Sequence, residues 1–243
     1  MKAVILAAGK GTRMKELTAS QPKPMVPVRG KPVLQWIIEG LRDHAGVTNV
    51  FLVVGYQGDV IRNYFGDGDA FGVNIEYGEQ EVQNGTGKAP EVARDWVARD
   101  NFLLTYGDIF LPDPAAYAII AAAWQETDDA LVTVKTAADL SKFGAVFLDL
   151  HDYMTDLVEK GNFPKTPNNA YANVGIYIFT PRLFTYTSEL TLSPRGEYEL
   201  TDALRAMIDD SAKIRGVRMK GEWVDVRDPE IVAELNAGAA SAS

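Results

Sequence analysis

The order of apolar and polar positions divides the chain into two halves of different character. In the first half, short apolar runs of strand length alternate with stretches in which apolar residues recur every three or four positions. The strand-like runs are residues 3–8, 50–54, 73–77, 102–106 and 130–134. The helix-like stretches are residues 33–41, 59–64, 91–98 and 115–124. Continuous apolar strands separated by helices predict a mostly parallel sheet that is covered on both faces.

The second half is less regular. Residues 145–150 and 154–158 flank a short polar stretch and predict a hairpin, whereas 161–169 is dense in Gly, Pro and Asn and predicts a loop. Pro181 suits the first turn of a helix, and Asp228 suits a helix N-cap. The remaining predicted elements are a strand at 172–179, a helix at 200–208, a strand at 214–219 and a helix at 229–235.

No internal repeat or clear linker interrupts this pattern, so we expect one domain over residues 1–236 and a flexible tail of small residues at 237–243. The chain starts with a short apolar run that Lys10 and Arg13 follow at once, which does not fit a secretory signal. No run approaches the roughly 20 apolar residues of a membrane span. We therefore expect a cytoplasmic protein.

Composition narrows the chemistry that the chain can perform. Its 24 Lys and Arg against 33 Asp and Glu give a net charge of −9, which argues against nucleic acid or an anionic membrane as a partner. The chain has no cysteine, which excludes disulfides, thiolate nucleophiles and cysteine metal sites. With only His44 and His151, a multi-histidine metal site is excluded too. Any metal should be a hard, oxygen-ligated cation, with Mg²⁺ the first candidate.

The first predicted strand runs into a glycine-rich segment that carries two cations, Gly9-Lys10-Gly11-Thr12-Arg13. Glycines let a ligand approach the backbone and point N–H groups at it, so the segment suits a polyphosphate. A dinucleotide fingerprint would need a third glycine, and a Walker-type loop would need Ser or Thr where Ala89 follows Gly87-Lys88. Taken alone, the segment is equally typical of a tight turn in any α/β fold.

A second feature follows shortly after the glycines. Lys23 stands between Pro22 and Pro24, which restrict its backbone and favour a rigidly presented anion clamp. Together, Leu6-Ala7-Ala8-Gly9-Lys10-Gly11-Thr12-Arg13-Met14 followed by Pro22-Lys23-Pro24 resembles the signature of the sugar-1-phosphate nucleotidylyltransferases, or nucleotide-sugar pyrophosphorylases. This double motif is far more specific than a lone glycine pattern.

Further segments resemble the same family in order along the chain, and the resemblance covers residues 1–235. They are Gln80 with Gly85-Thr86-Gly87-Lys88-Ala89, Tyr106-Gly107-Asp108, Gly144, Glu159-Lys160, Asn173-Val174-Gly175, Glu197-Tyr198-Glu199-Leu200-Thr201-Asp202 and Trp223-Val224-Asp225. The chain looks nearest to N-acetylglucosamine-1-phosphate uridylyltransferases and to archaeal-type enzymes of broad substrate range. The resemblance implies a Rossmann-like three-layer α/β/α nucleotidyltransferase fold with a mostly parallel, mixed central sheet.

The resemblance also implies where the site residues lie. The nucleotide would bind at Leu6, Ala8, Gly9, Gly11, Thr12, Arg13, Gln80, Gly85 and Thr86. The sugar phosphate would bind at Gly144, Glu159, Lys160 and Asn173. Mg²⁺ would be held by Asp108 and Asp225, and the residues expected to be catalytic are Arg13, Lys23, Asp108 and Asp225. The residues agree with these assignments, since Gln80 offers a donor and an acceptor to a pyrimidine edge and Asp108 lies just past a predicted central strand. Asp225 follows a short aromatic segment, and each aspartate taken alone is more typical of a turn or a helix cap.

The implied reaction joins a nucleoside triphosphate and a sugar 1-phosphate into a nucleotide sugar and pyrophosphate. UTP is the favoured nucleotidyl donor, and TTP stays open. N-acetylglucosamine and glucose 1-phosphates are the first sugar substrates to test. A sugar-phosphate oxygen is already anionic at neutral pH, so no general base is needed, which fits a chain nearly without histidine. The expected partners are these small molecules, and a homodimer stays open.

Two alternatives remain at this point. The chain could use CTP, GTP or another phosphorylated acceptor, or it could be a catalytically silent, ligand-binding regulatory relative; a nicotinamide-dependent dehydrogenase is less favoured. The sequence also departs from the family pattern. Arg227 stands where relatives usually have glycine, and Pro90 interrupts the helix after the base-binding segment. The hexapeptide repeats of the left-handed β-helix that many relatives carry are missing from the sequence, so we do not expect an acetyltransferase activity.

Overall fold

The structure is a computed structural model that describes residues 1–137, 139–140, 143–159 and 170–240. Within these ranges the side chains of residues 15, 239 and 240 are not described. The loop predicted at 161–169 and the predicted phosphate ligand Lys160 lie outside the described residues.

The described ranges contain thirteen strands, nine of which form one central sheet. The strands are β1 (Lys2–Leu6), β2 (Pro27–Val28), β3 (Lys31–Pro32), β4 (Asn49–Val54), β5 (Asn74–Glu79), β6 (Phe102–Tyr106), β7 (Ile109–Phe110), β8 (Ala130–Lys135), β9 (Ala145–Leu148), β10 (Met154–Val158), β11 (Ala170–Phe179), β12 (Ile214–Arg218) and β13 (Val224–Asp225). The central order is β10-β9-β11-β6-β1-β4-β5, with β8 paired to β11 and β12 paired to β8. The short pairs β2–β3 and β7–β13 stand apart from it.

The central sheet is mixed, with most strands pointing one way. Neighbours β5, β4, β1 and β6 are parallel, β11 is antiparallel to both β6 and β8, and β12 is parallel to β8. Along β1, Ala3 and Ile5 face one core and Val4 faces the other, and all three are fully buried. A strand buried on both faces is apolar at every position, which explains the continuous runs in the sequence.

Helices cover both faces of this sheet. They are α1 (Val33–Ala45), α2 (Gly58–Phe65), α3 (Arg94–Val97), α4 (Ala116–Ala122), α5 (Leu183–Ser188), α6 (Leu200–Asp209) and α7 (Pro229–Ala240). Ile61 of α2 and Ile120 of α4 belong to the same core as Ala3, whereas Val97 of α3 and Leu204 of α6 belong to the core of Val4. The expected three-layer α/β/α architecture is confirmed.

The predicted hairpin is also confirmed, since β9 and β10 pair antiparallel. Gly144 directly precedes β9 and Glu159 directly follows β10, so both stand at the open end of the hairpin. Its turn is anchored to β12, where Arg215 Nε lies 2.6 Å from Asp128 Oδ2 and Arg215 also donates to the Tyr153 hydroxyl at 2.6 Å. The Asp128 side chain is fully buried.

Some element boundaries differ from the sequence prediction. The helix expected at 91–98 is a 3-10 helix, Ala89–Ala93, followed by the single turn of α3, and Ala98 ends it with a positive φ of 55°. Strand β1 ends at Leu6, which leaves Ala7 and Ala8 in the loop.

The last helix begins as predicted, because Ile231 N donates to Asp228 Oδ1 at 3.1 Å and Asp228 is therefore its N-cap. It continues to Ala240, so the first residues of the segment expected to be a flexible tail, 237–243, are helical. None of the helices in the described ranges combines the length and apolar character needed to cross a membrane.

Candidate active site

An open cleft of about 820 Å³ lies at the carboxyl edge of the central strands. This is the edge at which open α/β sheets bind their ligands. Among the described residues, every predicted site residue lies on the lining: Leu6, Ala8, Gly9, Gly11, Thr12, Arg13, Lys23, Gln80, Gly85, Thr86, Asp108, Gly144, Glu159, Asn173 and Asp225. The fold therefore brings together residues that are far apart in the sequence, while their individual roles remain predictions.

The glycine-rich segment forms the loop that leaves β1 and opens a 3-10 helix, Thr12–Thr18. Gly11 has φ 62° and ψ 42°, a left-handed conformation that glycine adopts without steric cost. A Cβ atom at this position would lie only 2.8 Å from the Cβ of Lys23. Gly11 is thus required both by the turn and by the lysine stem that packs on it. Arg13 is exposed on the cleft lining and forms no ion pair with any residue that the structure describes.

Lys23 begins a short 3-10 helix, Lys23–Met25, that follows the extended backbone of Pro22. Val26 N donates to the carbonyl oxygen of Lys23 at 3.1 Å, which closes this turn. The flanking prolines fix the backbone on both sides, as predicted. The side chain is only 15% exposed and lines the cleft.

The two predicted metal ligands meet because of a small antiparallel pair of strands. Asp108 occupies the turn between β6 and β7, and Asp225 is paired with Ile109 where β13 meets β7. Val226 N also donates to the Asp108 carbonyl oxygen at 3.0 Å. Lys23 Nζ forms a short hydrogen bond with Asp108 Oδ2 and lies 3.5 Å from Asp225 Oδ1. One ammonium group therefore serves two carboxylates.

The electrostatics of this group are unbalanced toward negative charge. Burial and the neighbouring charge of Asp108 raise the pKa of Asp225, against the opposing charges of Lys23 and Arg227. Burial alone would lower the pKa of Lys23, but the two carboxylates outweigh it and raise that pKa above its ordinary value. Lys23 therefore stays charged, and the pair of aspartates is left short of positive charge.

These residues fit a divalent cation that a substrate helps to hold. Asp225 Oδ1 is buried and receives no hydrogen bond, although oxygens in such positions are normally satisfied. Within the part of the chain that the structure describes, no group of three or more acidic or histidine side chains has metal-binding geometry. Two carboxylates with room for phosphate oxygens are, however, the donor set that Mg²⁺ uses in nucleotide enzymes.

The predicted base-binding segment packs against the residues that lead into α6. Gln80 donates through Nε2 to the Gly85 carbonyl oxygen at 3.1 Å, and Leu200 N donates to Thr86 Oγ1 at 3.2 Å. A Cβ atom at Gly85, where φ is 121°, would collide with the backbone of Tyr198. Glycine here lets two loops touch along their backbones. Pro90 stands in the following 3-10 helix, which tolerates it.

The predicted sugar end of the cleft lies across β9, β10 and β11. Asn173 N donates to the Gly144 carbonyl oxygen at 2.9 Å, and Asn173 Oδ1 accepts from Gly175 N at 3.1 Å at an irregularity in β11. Glu159 accepts a hydrogen bond from Arg195 at 3.3 Å, and Arg195 also reaches the buried Glu199 at 2.8 Å. Among the residues that the structure describes here, Arg195 thus lies between two carboxylates at the predicted sugar end.

Several cleft residues were not among the predicted ligands. Arg195, Glu199 and Thr201 lie in the loop and first turn that precede and begin α6, and Phe143 and Trp223 form an aromatic wall with ring centroids 4.7 Å apart. For Glu199, Thr201 and Trp223, the sequence signal was that their segments resemble the closing parts of the family pattern. Arg195 and Phe143 lie outside those segments.

Two tyrosines line the cleft, the buried Tyr177 and the partly buried Tyr106. Their ring centroids lie 6.3 Å apart in an edge-to-face arrangement. Burial raises the pKa of Tyr177 to about 12 and that of Tyr106 well above its usual range. Both hydroxyls therefore stay protonated, and the two rings pack β6 against β11 at the cleft.

Comparison with known proteins places these observations in a family. Residues 2–241 match the family described as nucleotidyl transferase. The bifunctional protein GlmU of Methanocaldococcus jannaschii is 37% identical over 241 residues, which are 97% of this chain and 53% of that protein. A glucose-1-phosphate thymidylyltransferase of Streptomyces griseus is 33% identical over 236 residues, which are 97% of this chain and 65% of that protein. The chain thus spans about half the length of the GlmU relative.

A solved structure has the same fold. It is a Bacillus anthracis protein assigned as a glucose-1-phosphate thymidylyltransferase, in complex with sucrose. The two chains share 28% sequence identity with a TM-score of 0.85, over 98% of this chain and 95% of the other. The family and fold expected from the sequence motifs are both confirmed.

Proposed function

The chain belongs to the nucleotidyl transferase family, and we propose that it transfers a nucleotidyl group from a nucleoside triphosphate to a sugar 1-phosphate, with release of pyrophosphate. The observation that carries this proposal is the meeting of Lys23 with two carboxylates beside a glycine loop, in the same cleft as Glu159 and Arg195. Cations and metal-binding carboxylates suit a polyphosphate, and a carboxylate beside a cation suits a phosphorylated sugar. The name of the Streptomyces griseus relative, a glucose-1-phosphate thymidylyltransferase, supports the same class of reaction.

In the proposed reaction, an anionic oxygen of the sugar phosphate attacks the α-phosphorus in line. A new P–O bond forms at the α-phosphorus while its bond to the pyrophosphate leaving group breaks. No proton has to leave the nucleophile, so the chain's task is to align two anions and offset their repulsion. Asp108 and Asp225 would hold Mg²⁺, which would neutralise charge on the phosphates.

The cationic side chains would divide the phosphates between them. Arg13 lacks an ion-pair partner in the described residues, and we assign it with Lys23 to the β- and γ-phosphates. The backbone N–H groups around Gly9 and Gly11 would cradle the same phosphates. Arg195 and Lys160 would face the phosphate of the sugar. Fixed cations act here as preorganised charge for a transition state in which negative charge is redistributed.

The base preference would come from Gln80. Its Nε2 uses one hydrogen on the Gly85 carbonyl, which fixes the orientation of the amide and leaves its oxygen and a second N–H for a ligand. Uracil and thymine present an N–H next to a carbonyl along this edge, whereas cytosine presents an acceptor next to an amino group. Either pattern pairs a donor with an acceptor, so the amide alone does not choose between them. Because the Gln80 and Gly85-Thr86 segment resembles that of uridylyltransferases, we favour UTP or TTP, whose single methyl difference is worth only about 1–3 kcal/mol.

The sugar is assigned by the same reasoning to a hexose 1-phosphate. Within the described residues, the Glu159 carboxylate accepts one hydrogen bond, the 3.3 Å contact from Arg195, and so it can also accept from sugar hydroxyls. Asn173 lies opposite on β11 and offers an amide N–H to the same ligand. N-acetylglucosamine and glucose 1-phosphates are the first candidates.

A pyrophosphate-release assay tests the proposal. Four nucleoside triphosphates would be combined with a panel of sugar 1-phosphates, with and without Mg²⁺. We expect release that needs both substrates and the metal, and that is strongest with UTP or TTP. Binding of nucleotide without any turnover, across the whole panel, would instead favour a catalytically silent, ligand-binding relative.

A further inference from the structure

Lys23 lies at the position where a cation between the two aspartates would bind. Its Nζ is hydrogen-bonded to Asp108 Oδ2 and lies 3.5 Å from Asp225 Oδ1, which otherwise receives no hydrogen bond. The carboxylates are only partly exposed, at 25% and 32% of their side chains. A divalent cation held by these two groups would therefore meet the ammonium at ion-pair distance, where two like charges repel strongly.

The backbone of Lys23 cannot move away to relieve this conflict. It is held by Pro22 and Pro24 and by the hydrogen bond from Val26 N that closes its 3-10 turn. The first carbons of the side chain pack against Gly11, in the glycine-rich loop. Rotation of the outer side-chain bonds is the remaining freedom, and it keeps the ammonium group close to that loop.

We propose that Lys23 is an internal counter-ion that holds Asp108 and Asp225 together in the free protein and leaves them when a divalent cation binds. The released ammonium group then lies beside the glycine loop, where a polyphosphate would accept it. This inference rests on the proposed function for the identity of the polyphosphate, but the exchange itself needs no substrate. It makes Lys23 a competitor of the metal in the free protein and a partner of the nucleotide afterwards.

The exchange has a consequence for binding order. A metal ion that arrives alone must break the lysine's ion pairs without compensation, so the free protein should bind divalent cations weakly. A metal ion that arrives with a polyphosphate gives the displaced ammonium a new anion, so each ligand should strengthen the binding of the other by the same factor.

Direct Mn²⁺ binding to the nucleotide-free protein tests this, with free Mn²⁺ measured by electron paramagnetic resonance. We expect Lys23→Met to bind Mn²⁺ at least about tenfold more tightly than the unmodified protein, because one opposing charge at ion-pair distance is removed. Lys23→Arg, which keeps the charge, should bind as weakly as the unmodified protein. Lys31→Met is the matched control, since Lys31 is also a partly buried lysine paired with a carboxylate, Glu39. It should leave Mn²⁺ affinity unchanged.

Unchanged or weaker Mn²⁺ binding by a folded Lys23→Met variant would overturn the inference, even if the enzyme proved active. If the double variant Lys23→Met/Asp225→Asn loses the tight Mn²⁺ binding, that binding belongs to this site. Tight Mn²⁺ binding that persists in the double variant would also overturn the inference. If Lys23→Met does not fold, the lysine ammonium signals of the unmodified protein can be followed by NMR while Mg²⁺ is added, with Lys23 assigned from Lys23→Arg. A Lys23 signal that does not respond to Mg²⁺ would contradict the exchange. An inactive protein that still shows it would leave this inference standing without the proposed function.

Discussion

Two clusters of ionised side chains lie at opposite edges of the central sheet. The clamp cluster, Asp128 with Arg215, Tyr153 and Gln125, stands where β8 and β12 begin. The cleft cluster, Lys23 with Asp108 and Asp225, stands beyond the end of β6. Both combine one long cationic side chain with carboxylates that are wholly or partly withdrawn from water.

The two clusters differ in how completely their hydrogen bonds are made. Both oxygens of Asp128 accept from Arg215, at 2.6 and 3.1 Å, and the same guanidinium also bonds Tyr153 and Gln125. In the cleft cluster, one ammonium is shared by two carboxylates and Asp225 Oδ1 stays unsatisfied. A closed network fixes structure, whereas an open one keeps binding capacity for a ligand. The following experiments test that difference.

The largest expected effect is on activity at the cleft cluster. Asp225→Asn keeps the shape of the side chain and removes one charge, so the proposed nucleotidyl transfer should slow by about 10³-fold, the scale of losing one preorganised charged group. Stability should hold or rise slightly, because repulsion from Asp108 is relieved. Pyrophosphate release and thermal unfolding of the same preparation measure both quantities. A large loss of stability with activity retained would reverse the assignment of this cluster.

The next effect is on stability at the clamp cluster. Asp128→Ala leaves the Arg215 guanidinium without its buried partner, and we expect a loss of about 3 kcal/mol in the free energy of unfolding. Activity per folded molecule at 25 °C should change little. Asp210→Ala is the control, because Asp210 pairs with Arg182 at the surface and should leave the unfolding curve nearly unchanged. If the two substitutions lower the free energy of unfolding equally, the clamp cluster stabilises the fold no more than a surface ion pair does.

A smaller effect is expected where the glycine loop supports Lys23. Gly11→Ala places a methyl group in a left-handed conformation and against the lysine stem, so we expect about 1 kcal/mol less stability and roughly tenfold slower turnover. Gly46→Ala is a matched control, because Gly46 has a similar φ of 64° with nothing within 4 Å of its Cβ position. It should lose similar stability and no activity. A loss of activity in the control would mean that backbone strain alone explains the result.

The smallest effect concerns pH and Arg227. Burial and Asp108 raise the pKa of Asp225, and the charge of Arg227 offsets part of this rise. We therefore expect kcat/KM to fall on the acid side at a pH above the usual Asp range. Arg227→Gly should move this acid limb to higher pH, and Arg182→Ala, a distant surface arginine, should not move it. The sign for stability is opposite: the ionised Asp225 costs stability above its raised pKa, and this cost is relieved as the pH falls through it. If the acid limb of the kcat/KM profile does not shift in Arg227→Gly, Arg227 does not influence the ionisation of Asp225.

Local features of the sequence predicted their parts of the molecule well. The run at 102–106 is β6 with the same bounds, because a short continuous apolar run is typical of a strand buried on both faces and is too short for an ordinary buried helix. The position of Lys23 between two prolines predicted a fixed lysine for an equally local reason, because each proline restricts the adjoining backbone. The helix expected at 91–98 was wrong in type, since apolar spacing does not distinguish a 3-10 helix followed by one α-turn from a continuous α-helix.

Contacts between residues far apart in the chain could not be predicted from local sequence patterns. Asp108 and Asp225 each read as ordinary aspartates after a strand, and their meeting depends on a two-residue strand pair that has no sequence period; only the family resemblance indicated it. Arg195 stands in a polar loop without any pattern, and its place between Glu159 and Glu199 follows from the tertiary fold. Nothing in the sequence pattern singled out Asp128 or Arg215, although the fold buries the aspartate completely.

The pairing of β7 with β13 has a consequence for how the protein is made. Proteins leave the ribosome from the amino terminus, at about 5–20 residues per second, and their early segments can begin to fold before the later ones exist. Strands β1 and β4–β6 and the whole glycine loop emerge well before β13, which brings Asp225 beside Asp108. A nascent chain can therefore assemble most of its sheet while Asp108 and Asp225 are still apart. The proposed catalytic centre is completed only after β13 has been made, when the part of the fold that supports it can already be in place.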